Sequence, residues 1–119
     1  MFAILDLTKE NLIAFQVKGK IEKSDYEKLN PLVKKTEEKY GNLKLYIEIQ
    51  DVDGIGLSAL WEDIKFYFRF VKELKKIAIT CNSEITEILS KWSKPFVSSE
   101  IQFFDFSEKD NALKWINEN

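Results

Sequence analysis

Apolar and polar positions change period several times along this chain, and each change predicts a new element. Phe2 to Leu7 and Asn11 to Gly19 are two strand-like runs joined around Thr8, Lys9 and Glu10, the pattern of a hairpin. In the second run Leu12, Ala14 and Gln16 take one face while Ile13, Phe15 and Val17 take the other. Ser24-Asp-Tyr-Glu27 has the form of a capping box and begins a helix whose inward stripe is Tyr26, Leu29, Val33, Thr36 and Tyr40. Gly41 is placed to end that helix, and Pro31 inside it predicts a kink or a local readjustment. Leu43 to Ile49 alternates as a strand and runs into a turn at Asp51-Val-Asp-Gly-Ile-Gly56.

The run from Leu57 to Lys72 has helical period and carries more apolar surface than one core contact needs. Leu57, Leu60, Trp61, Ile64, Phe68 and Val71 form the stripe of a helix packed on a core. A second stripe of Ala59, Phe66, Tyr67 and Phe70 lies on roughly the opposite side, with Glu62, Lys65, Arg69, Lys72 and Glu73 in a polar wedge between. Such a helix is either covered on both sides by its own chain, or it offers aromatic surface to a partner, a second copy, an apolar ligand or a membrane. Beyond it, Lys76 to Cys81 reads as a short apolar strand of a parallel sheet. Ser83 caps a helix with Ile85, Ile88, Leu89 and Trp92 inward, ending before Pro95. Ile101 to Phe106 is the last strand, and Ser107-Glu-Lys-Asp110 opens a terminal helix carrying Ala112, Leu113, Trp115 and Ile116. The order is ββαβαβαβα, an α/β domain with strand–helix alternation after the opening hairpin.

Composition narrows what this domain does. At 119 residues, with no repeat, linker or low-complexity tract, residues 1–119 read as a single domain. A net charge of −2 argues against a nucleic-acid partner. The chain has no histidine, which removes His-based nucleophile systems, acid–base work and most zinc sites. Catalysis would rest on carboxylates, Lys or Tyr, so the expectation is a protein that is not an enzyme and needs no cofactor. Cys81 is the one cysteine, so no disulfide forms within the chain, and its apolar strand makes it a core residue. With neither a leader-like start nor a membrane-length apolar run, the expected location is the cytoplasm, with peripheral contact to the inner membrane left open.

Few residues carry candidate chemistry. Asp51 and Asp53 lie in a turn at the carboxyl end of a strand, where parallel sheets tend to bind ligands; with Glu48 they suggest a weak divalent-cation site, and turn structure is the plainer reading. Ser58 reads as a first-turn capping residue or a phosphorylation site. Lys65, Arg69 and Lys72 form a basic line beside Phe66, Tyr67 and Phe70, as in helices that lie in a membrane interface. Phe96, in Trp92-Ser-Lys-Pro-Phe-Val97, either closes the core or forms the edge of an interface.

Val17-Lys-Gly-Lys20, Ser24-Asp-Tyr-Glu-Lys-Leu29 with Pro31, Leu57-Ser-Ala-Leu-Trp-Glu-Asp63, Pro95-Phe96 and Phe104-Asp105 together resemble the SpoIIAA-like family nearly end to end. Ala-Leu-Trp-Glu-Asp is the most specific of these stretches. The family comprises small bacterial stand-alone domains related to the STAS fold of anti-sigma-factor antagonists. The resemblance implies a mixed, mostly parallel five-stranded sheet with four main helices, in a general fold similar to that of CRAL-TRIO lipid-binding domains. STAS antagonists carry a phosphoacceptor serine in an Asp-Ser-Ser/Ala-Gly turn. The equivalent turn here, Gly54-Ile-Gly-Leu-Ser58, lacks that motif, so the role does not pass to Ser58. The resemblance implies membrane association or apolar-ligand binding. A STAS-like interaction module or a homodimer, using the same face or the 54–58 turn, is the alternative.

Overall fold

Alternation along the strands sets two apolar faces back to back, and the architecture follows from covering both. The computed structural model describes residues 2–7, 9–19, 22–50, 59–60, 62–64, 66, 68, 71, 74–82 and 100–118. Its strands are β1 (Phe2–Ile4), β2 (Leu12–Lys18), β3 (Leu43–Gln50), β4 (Leu74–Cys81) and β5 (Glu100–Asp105). Helix α1 is Lys23–Tyr40, and α2 lies within 59–68, where Ala59, Leu60, Glu62, Asp63, Ile64, Phe66 and Phe68 are helical. A short 3-10 turn, Phe106–Glu108, leads into α3 (Lys109–Asn117).

The strands form one mixed sheet in the order β1-β2-β3-β4-β5. β1 runs antiparallel to β2, while β2–β3, β3–β4 and β4–β5 pair in parallel. On one face Ile13, Phe15, Val17, Leu45, Ile47, Ile49, Ile77 and Ile79 are buried beneath Leu29 and Val33 of α1 and Leu60, Ile64 and Phe68 of α2. Phe15 and Phe68 stack with ring centroids 6.3 Å apart, a favourable aromatic pair. On the other face Leu12, Ala14, Tyr46 and Ala78 lie beneath Ala112 and Ile116 of α3. The register sets Ala14 and Ala78 on either side of Tyr46, and two small side chains leave room for one large ring.

Several local readings are corrected. β1 stops at Ile4, and the hairpin closes in a tight turn from Lys9 to Leu12 with Glu10 at φ 53°. The box that starts α1 is not Ser24 with Glu27: Glu22 is the N-cap and its N–H donates to the buried Asp25 carboxylate at 2.8 Å. Ser107 does not cap the terminal helix. Asp105 caps the 3-10 turn ahead of it, its carboxylate accepting from the Ser107 N–H while the Glu108 carboxylate accepts from the Asp105 N–H, and α3 itself starts after Glu108. α1 is continuous through Pro31, which sits on its exposed side, where the Glu27 carbonyl that loses its donor has water to bind. Among the described residues there are three helices and not the expected four; the helix predicted from Ser83 lies outside the described residues.

Candidate functional site

Helix α2 separates its residues between core and solvent. Leu60, Ile64 and Phe68 recur every four positions, which keeps them on one side, and all three are buried in the sheet core. Phe66 lies two positions from each of Ile64 and Phe68, roughly 200° around a helix of 100° per residue. It is 62% exposed, the most exposed of the large apolar side chains among the described residues. Ala59, Glu62 and Asp63 are also exposed. Lys65, Tyr67, Arg69, Phe70 and Lys72 lie outside the described residues, as do Phe96 and the turn residues Asp51, Asp53 and Ser58.

A second group of side chains, on the opposite sheet face, escaped the sequence reading. Glu48, which the sequence sets near Asp51 and Asp53 at the strand end, is instead buried and paired with Lys109 of α3. Lys109 Nζ stands 2.9 Å from its Oε1, and the Tyr46 hydroxyl donates to the same oxygen at 3.2 Å. The Tyr46 proton being committed to Glu48, the Thr80 hydroxyl is the donor in the 3.4 Å contact between them. Burial pushes the Tyr46 pKa well above the usual tyrosine range; Thr80 opposes the shift and Glu48 reinforces it. Every polar atom named here has a partner, and the carboxylate is held by a cation and a phenol. Such a cluster pins the first turn of α3 to β3 and β4. The available signal was the alternation Lys44, Tyr46, Glu48, which reads as a solvated face and becomes a second covered face once α3 packs on it.

Among the described residues no group of three Cys, Asp or Glu is arranged to hold a metal ion, and no helix is long and apolar enough to cross a membrane. Cys81 is buried in the sheet core.

A mixed sheet in sequential order, with crossover helices on one face and the terminal helix on the other, defines the class of fold. The sequence profile of the SpoIIAA-like family matches residues 12–117, and the chain belongs to that family. The structure is similar to the crystal structure of an uncharacterized protein with a SpoIIAA-like fold from Shewanella loihica. That similarity has a TM-score of 0.68 at 26% sequence identity, over 97% of this chain and 93% of the other. No curated protein matches the chain.

Proposed function

We propose that this SpoIIAA-like domain is a non-enzymatic binding module that docks peripherally on a membrane through the outer face of α2. The carrying observation is Phe66, an aromatic ring 62% exposed on the side of the helix turned away from the core. The sequence continues that side with Tyr67 and Phe70 and interleaves Lys65 and Arg69, while Lys72 follows Val71, which is not helical, so the helix stops short of the predicted end at Lys72. Aromatic rings enter the acyl boundary while cations meet anionic headgroups, so the two residue classes suit one surface. A pocket for a free apolar ligand would not call for the basic line.

Co-sedimentation with vesicles containing phosphatidylglycerol tests the reading. The wild type is expected to pellet, and Phe66→Ser/Phe70→Ser to lose at least about tenfold in affinity. Burying one Phe contributes about 1.5–3 kcal/mol, and ~1.4 kcal/mol is tenfold. Equal pelleting of the two proteins would overturn it. Light scattering separates the alternative: a dimer that Phe70→Glu dissolves would assign the face to a second copy of the chain instead.

A further inference from the structure

At the amino-terminal edge of the sheet, beneath the end of α3, lies a cleft of about 190 Å³ whose charged lining is Lys9, Lys44, Lys75, Lys76, Glu10 and Glu118. Three separate backbone features bring the cations there. Parallel register places Lys44 directly opposite Lys76, and like charges directly opposite one another are destabilising. Between β3 and β4 the register then slips: Leu43 pairs with Leu74 and Lys44 with Lys76, which leaves Lys75 as an extra residue. In an unbroken strand Lys75 and Lys76 would face opposite sides, yet both line this cleft, and bulges re-aim side chains in this way next to functional sites. The third feature is the hairpin tip. Glu10 takes a left-handed φ of 53°, Lys9 and Leu12 exchange backbone hydrogen bonds of 3.0 and 2.9 Å, and the Asn11 carbonyl accepts from the Lys44 N–H at 2.9 Å. That turn carries Lys9 into the lining.

One lysine has a plain structural role. Lys76 Nζ donates to the Trp115 carbonyl at 3.3 Å and the Glu118 carbonyl at 3.2 Å, and lies 4.8 Å from the Trp115 ring centre. It caps the negative end of α3. This accounts for Lys76 but not for Lys9, Lys44 and Lys75. Four lysines against two glutamates leave the lining cationic in a molecule of net charge −2. Burial, with Lys76 and Lys75 nearby, holds the Lys44 pKa below the usual lysine range, while Glu10 opposes that shift.

We infer that this cleft binds a small, multiply charged anion of the phosphate class. Lysine ammonium groups are compact point charges with three donors each, suited to phosphate oxygens approached from several directions. The volume is below the ~300 Å³ at which drug-sized ligand sites begin, so the anionic group itself fills it. The cleft lies on the α3 face of the sheet, opposite α2, and so stands apart from the membrane contact proposed above.

Inorganic pyrophosphate, added to the full chain at low salt and followed by backbone amide NMR, is the first probe; vesicles containing phosphatidic acid are the second. Saturable shifts at Lys9, Asn11, Lys44 and Lys75 with pyrophosphate assign a soluble phosphate compound. A response confined to phosphatidic acid vesicles, abolished by Lys44→Met/Lys75→Gln and retained in Phe66→Ser, assigns a lipid headgroup. In either arm the double variant is expected to bind at least tenfold more weakly. Its melting temperature without anion should match or exceed that of the wild type, because like-charge repulsion is relieved. No lysine-dependent binding in either arm, with pyrophosphate taken to about 10 mM, overturns the inference, as does unchanged affinity in the double variant; about 10 mM suffices to reveal a millimolar Kd.

Discussion

Phe66 and Phe68 stand two positions apart on α2, one 62% exposed and the other 2% exposed against the Phe15 ring. Phe68→Ala is expected to cost about 3–5 kcal/mol in urea unfolding, since it removes a filled volume beside a close-packed sheet. Phe66→Ser should stay within about 0.5 kcal/mol, as surface changes do. A large loss at Phe66 would mean that the ring is structural, and would remove the basis of the docking proposal. Tyr46 yields a pH prediction. Its folded-state pKa lies above the unfolded value, so its stabilising contribution is fully present below about pH 10 and lost as pH rises beyond it. Comparing melting temperatures of the wild type and Tyr46→Phe from pH 8 to 11 reads this directly: the wild type should fall more steeply at the alkaline end. Helical period alone shows that Phe66 and Phe68 take opposite sides. Which side meets water, and that Tyr46 and Glu48 are buried together, depends on α2 and α3 packing from residues distant in the chain.

Helix ends show the same division at the scale of the element. Ser24-x-x-Glu27 is the start of α1 that the sequence pattern suggests, and the structure starts the helix two residues earlier with Glu22-x-x-Asp25. The second prevails because Asp25 reaches back to the Glu22 N–H. Asp25→Ala should therefore cost about 1 kcal/mol, while Ser24→Ala, on the exposed side of the first turn, changes stability by less than about 0.5 kcal/mol. Thermal melts of the two variants check the assignment, and the reverse order would restore Ser24 as the cap. At the other end Gly41 holds φ 78° and its N–H donates to the Glu37 carbonyl at 2.8 Å, the stop that its position after Tyr40 predicted. No atom lies within 4 Å of where its Cβ would be, so Gly41→Ala should lose about 1 kcal/mol from backbone conformation alone, without a clash. The bulge beside Lys75 had no local signature. Register is a property of two strands, so β4 read alone could not reveal which lysines would share a cleft.

At the scale of the whole molecule, one helix closes the second face of the sheet. Ala112 and Ile116 are fully buried on Leu12, Ala14, Tyr46 and Ala78, and Trp115 packs against Phe104 at 6.1 Å between ring centres. A chain truncated after Ser107 should lose cooperative unfolding and bind a hydrophobic dye, because four apolar strand positions and the Glu48 carboxylate lose their cover together. A sharp two-state melt of that truncation would show α3 to be dispensable. By itself the sequence determined the period of most described elements, the stop at Gly41, the grouping of Leu29, Val33 and Thr36 on α1 and of Leu60, Ile64 and Phe68 on α2, and the resemblance to the SpoIIAA-like family, because these depend on residues close in the chain or on local pattern. Tyr40, expected on the inward stripe, is exposed at the last position of α1. Only the tertiary structure decided that Lys44, Tyr46 and Glu48 lie on a covered face, that Lys109 pairs with Glu48, and that Lys9, Lys44 and Lys75 share one cleft. Each of those requires strand register and helix docking, and both are set by packing between segments that the sequence holds far apart.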